Sequence, residues 1–72
     1  MEEFSLQGRE FIELNKLLKF LNIAESGGFA NQMILDEVVL LNGKTETRKR
    51  CKLRPGDEIS IDGGDISVRI TE

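Results

Sequence analysis

The 72-residue sequence has no histidine, no tryptophan and no tyrosine, and only one cysteine and one proline. Without a second cysteine, Cys51 cannot form an internal disulfide. Without histidine, a standard structural zinc site has too few ligands. The two usual aids to very small folds are therefore excluded, and an ordinary apolar core, or a partner, must hold the chain together. The missing histidine also removes the commonest base beside a nucleophile. No apolar stretch approaches the ~20 residues that span a bilayer. The opening Met1-Glu2-Glu3 has neither the basic nor the apolar region of a secretory signal. A lone thiol in that context fits a reducing, cytoplasmic setting.

What is present describes a folded chain. Hydrophobic residues make up 39% and charged residues 32%, a globular and not a disordered composition, and the length allows one domain, residues 1–72. The net charge of −3 is unsuited to a polyanionic partner, but it hides an asymmetry. Six of the ten basic residues, Lys44, Arg48, Lys49, Arg50, Lys52 and Arg54, fall between positions 44 and 54, with Glu46 as the only acid there. That segment carries +5 and the other 61 residues carry −8. A focused positive patch on an acidic body is an electrostatic footprint that total charge conceals.

Along the chain, Phe4-Ser5-Leu6-Gln7 alternates as a short strand does, and Gly8 can end it. From Phe11 the period changes, and Leu14, Leu17, Leu18 and Leu21 form one apolar stripe of a helix. Asn22, which tolerates the left-handed conformation, closes it. Ser26 is a good N-cap for a second helix carrying Phe29, Ala30, Met33 and Ile34 and ending near Asp36. Val38 to Leu41 is an apolar run. It is followed by Asn42-Gly43, the pair suited to a type I′ hairpin turn, with Thr45 to Thr47 as the returning strand. Pro55-Gly56-Asp57 makes a turn. Glu58–Ile61 and Ile66–Thr71 alternate on either side of Asp62-Gly63-Gly64-Asp65, a second hairpin. The pattern is α+β, with two helices packed on one face of a small antiparallel sheet.

Candidate chemistry is sparse. The acidic pairs Asp62/Asp65 and Asp57/Glu58 sit at turns, where such residues are common for local reasons, and no phosphate-loop or dinucleotide fingerprint occurs. Gly63-Gly64 is followed by eight residues, so it is not the terminal diglycine of a sulfur carrier. Cys51 lies between Arg50 and Lys52, which favour a reactive thiolate, yet free cysteine is so often buried that a packing role is preferred. Gly27-Gly28 after Ser26 leaves helix N–H groups open to an anion, or is simply a capped helix start. The basic run is either a solvated face that blunts a sheet edge or a phosphate-binding surface. Five cations within seven residues repel one another unless something negative offsets them, which points to nucleic acid.

At this point the residues resemble a known family. Glu13-Leu14-Asn15-Lys16-Leu17-Leu18, Ser26 through Ile34, Val38-Val39-Leu40-Leu41-Asn42-Gly43-Lys44 and Arg54-Pro55-Gly56-Asp57-Glu58-Ile59 look like the S-four RNA-binding domain. That is the module of ribosomal small-subunit protein four, also called the alpha-L motif. Glu25-Ser26-Gly27-Gly28 and Glu46-Thr47-Arg48-Lys49-Arg50-Cys51-Lys52 are similar to the small stand-alone bacterial members of the YbcJ type. The resemblance covers about residues 4 to 70. It implies two helices on a small antiparallel sheet, and a non-enzymatic protein whose partner is structured RNA, ribosomal RNA or the ribosome in the first place. The implied contacts are Ser26, Gly27, Gly28 and Asn31 on the second helix, with Lys44, Arg48, Lys49, Arg50 and Lys52 on the sheet side, and Arg54 joins the candidate RNA-binding residues as the last of the basic run. Many members carry arginine where this chain has Glu13 and Gly27, a base where it has Asn31, and glycine where it has Glu37. The basic run must then supply more of the binding.

Recognition is expected to be by shape and charge and not by base stacking, since Phe11, Phe20 and Phe29 are assigned to the core. The alternative is a protein-interaction module docking on an acidic or ribosome-associated partner. No cofactor, metal or membrane is expected, and the chain is expected to act as a cytoplasmic monomer.

Overall fold

The structure is a computed structural model that describes residues 2–72, the side chain of Asp62 excepted. The Asp62/Asp65 pair considered above therefore lies partly outside the described residues. In chain order the elements are β1 (Glu2–Ser5), β2 (Ile12–Glu13), α1 (Leu14–Phe20), α2 (Gly27–Leu35), β3 (Val39–Leu41), β4 (Lys44–Thr45), β5 (Lys52–Leu53), β6 (Glu58–Ile61) and β7 (Ile66–Thr71). A 3₁₀ turn, Asp62–Gly64, joins the last two strands. Five strands form one sheet in the order β1-β7-β6-β3-β4, while β2 and β5 form a separate antiparallel ribbon. Among the described residues no helix is long and apolar enough to cross a membrane.

The sheet follows from alternation. Ile59, Ile61, Val68 and Ile70 are buried, whereas Arg69 is exposed and Glu58, Ser60 and Ser67 lie at partly exposed positions between them. The β6–β7 register sets Ile59 opposite Val68, so one face is apolar. Leu14, Leu17 and Leu18 of α1 and Ala30 and Ile34 of α2 cover that face, and with Leu6, Leu53 and Val39 they form one core cluster. The sheet is antiparallel except at one edge. There β1 pairs in parallel with β7, Phe4 opposite Ile70. A parallel pair needs a long crossover, and nearly the whole domain serves as that crossover.

The helix ends are closed by left-handed residues. Asn22 has φ 60°, and the N–H groups of Asn22 and Ile23 donate to the carbonyls of Lys19 and Leu18, a Schellman closure. Ser26 caps α2, its hydroxyl accepting the N–H of Phe29 at 3.1 Å. The far end of α2 repeats the first closure with Glu37 at φ 63° and the N–H of Val38 on the carbonyl of Met33. A side chain in that conformation is strained, and glycine would adopt it without that cost. Replacing exposed Glu37 by Gly should raise stability by about 0.5–1 kcal/mol. A urea midpoint that fails to rise would refute this reading.

Two departures from sequence expectation matter. The residues before α1 are a strand, not a helical turn: Ile12 pairs with Leu53 and Glu13 with Lys52, and the helix begins only at Leu14. The returning strand after Asn42-Gly43 is also shorter than Thr45 to Thr47. Both turn residues have positive φ, 51° and 86°, as a type I′ turn needs. Ladder hydrogen bonding nonetheless ends with the N–H of Glu46 on Val39, and residues 46–51 form a loop.

Candidate nucleic-acid interface

Loop 46–51 is shaped by one acid. The Glu46 carboxylate accepts the backbone N–H of Arg48 at 2.9 Å and, through both oxygens, Nε and Nη2 of the Arg48 guanidinium at 3.0 Å each. This fork-on-carboxylate geometry is the strong form of an ion pair. It holds the Glu46 carboxyl well down, at about 2, against a smaller opposing effect of burial. Arg48, its own pKa raised by the same partner, is thus committed on one edge of its fork. The sole acid of the basic run is structural, and it ends β4 by pulling the chain into a turn.

The loop then lies across the start of α1. The carbonyls of Cys51 and Lys49 accept the N–H groups of Leu14 and Asn15 at 2.9 and 3.0 Å. They satisfy donors that α1 would otherwise leave open, because Glu13, at the N-cap position, makes no side-chain cap bond. Glu13 instead faces cations: Lys16 Nζ lies 3.3 Å and Arg50 Nε 3.9 Å from its carboxylate. Asn15 extends the connection to α2, its Nδ2 donating to Asn31 Oδ1 at 3.1 Å, while its own Oδ1 is buried without a partner.

Beyond the loop, the β2–β5 ribbon buries Ile12 and Leu53 and turns Lys52 outward. Lys52 Nζ sits 4.9 Å from the centroid of the Phe11 ring and Arg54 Cζ 6.0 Å from it. Arg48, Arg50, Cys51, Lys52 and Arg54 line one open hollow, and none of these residues is acidic. Cys51 is 7% exposed. Burial, first of all, pushes its thiol pKa up, and Arg48 only partly opposes this. The packing role holds, although Cys51 follows a turn closed by its N–H on the Arg48 carbonyl and does not lie within a strand.

The structure therefore gathers Arg48, Arg50, Lys52 and Arg54 at one hollow, with exposed Lys49 in the adjoining turn. Asn31 joins this group through Asn15. Ser26, Gly27 and Gly28 lie one turn further along α2. A Cβ on Gly27 would meet nothing within 4 Å, and one on Gly28 only the Ser26 hydroxyl at 3.9 Å, so packing does not require glycine at either position. Lys44 stands apart on edge strand β4, exposed, opposite Leu41. The turn acids have local duties: Asp57 accepts the Arg54 N–H at 2.8 Å and Glu58 pairs with Arg69 at 2.7 Å.

The sequence reading missed Glu13, Asn15, Lys16 and Phe11. Only Lys16 had a signal, its spacing of three from Glu13. The reading also misplaced the aromatics. Phe20 and Phe29 are 69% and 52% exposed and Phe11 is half-buried, leaving Phe4 alone in the core. Helical spacing gave Phe29 a place on the apolar stripe, but Ala30 and Ile34 take the buried face. Phe20 packs edge-on against Phe4, ring centroids 5.3 Å apart, from the outside.

The family model of the S4 domain matches residues 4–69. YbcJ of Escherichia coli K12 is 40% identical over 68 residues, spanning 94% of this chain and 97% of that protein. A Bacillus subtilis protein named as a probable ribosome maturation protein, RlbA, is 35% identical over 54 residues, 75% of this chain and 76% of that one. The solution structure of E. coli YbcJ, described as an alfaL motif involved in RNA-binding, superposes with a TM-score of 0.73 at 38% identity, covering all of this chain and 89% of that one. The two helices, the short-stranded sheet and this span of similarity agree: the chain belongs to the S4 domain family.

Proposed function

We propose that this chain is a non-enzymatic protein that binds structured RNA, ribosomal RNA in the first place, through phosphate contacts. In this reading it acts as a cytoplasmic monomer. Lys44, Arg48, Lys49, Arg50, Lys52 and Arg54 supply the charge, and Ser26, Gly27, Gly28 and Asn31 offer the α2 side. The observation that carries this reading is the hollow lined by four cations and no acid, on a chain whose other 61 residues total −8. Like charges gathered in one concavity repel, and a polyanion removes that repulsion while releasing its counterions. The acidic remainder then restricts the polyanion to this side. The ribosome maturation name of one relative and the RNA-binding description of another support the choice of RNA.

A salt titration tests it. Each phosphate contact should add roughly 0.7 to 0.9 to the negative slope of log K against log salt, so contacts by most of the run should give a slope of several. A salt-independent affinity for folded RNA refutes the reading. Recovery of the same partners from cells after complete nuclease digestion would instead indicate docking on an acidic or ribosome-associated protein.

A further inference from the structure

The half-buried ring of Phe11 stands at the rim of the basic hollow, and its position is fixed by the ribbon. Because Ile12 pairs with Leu53, Phe11 falls beside Arg54 on the outer side, with Lys52 on the same side one residue before Leu53. Among the described residues the ring is the one aromatic group in contact with the basic run: Lys52 Nζ at 4.9 Å and Arg54 Cζ at 6.0 Å. A cation over a half-buried ring at the surface is a weak and exchangeable contact. The lysine head is a compact charge on a flexible stem, able to leave the ring for a phosphate.

We propose that Phe11 is a stacking platform for one unpaired nucleobase of the bound RNA, whose adjoining phosphates enter the hollow of Arg48, Arg50, Lys52 and Arg54. This rests on the RNA reading above and narrows its ligand to structured RNA bearing an unpaired nucleotide beside a helix. The base takes the ring face that Lys52 covers in the free protein, and Lys52 moves to phosphate. Arg54, with its planar guanidinium, stays beside the ring and the base, since arginine stacks where lysine does not. Stacking of this kind needs no hydrogen-bond readout, so the site selects unpaired over paired bases and not one base over another.

The chain has no tryptophan or tyrosine, so Phe11→Trp places a single strong fluorophore at the platform. The probes are a short RNA duplex with one bulged adenosine and the same duplex without it, with binding followed independently by anisotropy of labelled RNA. The bulged duplex should quench the tryptophan and the plain duplex should not. Phe11→Leu, which keeps an apolar side chain for folding, should weaken the bulged duplex about ten-fold, the size of one lost base stack. It should weaken the plain duplex less than about two-fold by the same reasoning, with an unchanged salt slope for both. Equal quenching by the two duplexes, or equal loss of affinity in Phe11→Leu, overturns the platform while leaving the phosphate reading intact. Failure of the wild-type protein to bind either duplex in a salt-dependent manner overturns both.

Discussion

Replacing Lys49, Arg50 and Lys52 together by Ala should lower the affinity for folded RNA by about a thousand-fold, and should reduce the salt slope by roughly two to three. Each charge-assisted contact contributes about 1.5 kcal/mol, and every 1.4 kcal/mol is a factor of ten. All three side chains are exposed, so far-ultraviolet circular dichroism and the urea midpoint should hardly change. Arg48→Ala should lower the slope by less than Arg50→Ala, because Glu46 already occupies the Arg48 fork through both carboxylate oxygens. A triple variant whose slope matches the wild type would remove the loop from the RNA contact. Equal slopes for the two single variants would show that RNA displaces Glu46.

Leu53→Ala should cost about 2–5 kcal/mol of stability, the range for emptying a leucine-sized space in a packed core. Leu53 is fully buried and belongs to the one core cluster. A domain of this length has on the order of 4–10 kcal/mol in total, so at the middle of both ranges the variant should lose about half its margin. It also holds β5 against β2, and its neighbours in sequence are Lys52 and Arg54. RNA affinity should therefore fall even where the variant remains folded. Leu35→Ala is the control, because Leu35 is 50% exposed and its loss should stay within about 0.5 kcal/mol. A urea midpoint for Leu53→Ala close to that of the control would contradict the packing described here.

The parts of the fold visible in the sequence are those where one residue type answers one backbone need. Asn22, Ser26, Asn42 and Gly43 each mark a cap or turn by their own conformational chemistry, and each stands where it was expected. The alternations of β6 and β7, four and six residues long, were equally plain, since a sustained period of two is not a helical one. The β2–β5 ribbon left no such trace, because two-residue strands have no period to read. Its existence depends on Ile12 and Leu53 sharing a core across more than half the chain. The parallel pairing of β1 was hidden for the same reason.

The site divides in the same way. Charge is additive along a sequence, so the basic run showed itself by counting. Its shape depends on Glu46 folding back on Arg48 and on carbonyls of the loop capping α1, and neither has a sequence pattern. Exposure of the phenylalanines was hidden because helical spacing tells which residues share a face but not how much of it the neighbours cover. Phe11 falls outside the helix altogether, and only the ribbon gives it a place.

The two edges of the sheet differ in the length of chain that each must close. β1 joins β7 across nearly the full length of the chain, and the Ser5 hydroxyl donates to the Glu72 carbonyl 67 positions away. Closing a loop of that length is entropically the costliest step in the sheet. The tight turns at Asn42-Gly43 and Asp62–Gly64 close over far fewer residues, so β1 is the strand whose closure costs most. The strand order places β4, from which the basic loop departs, at the opposite edge. The strand that is costliest to close and the strand from which the basic loop departs therefore lie at opposite edges and do not pair with one another.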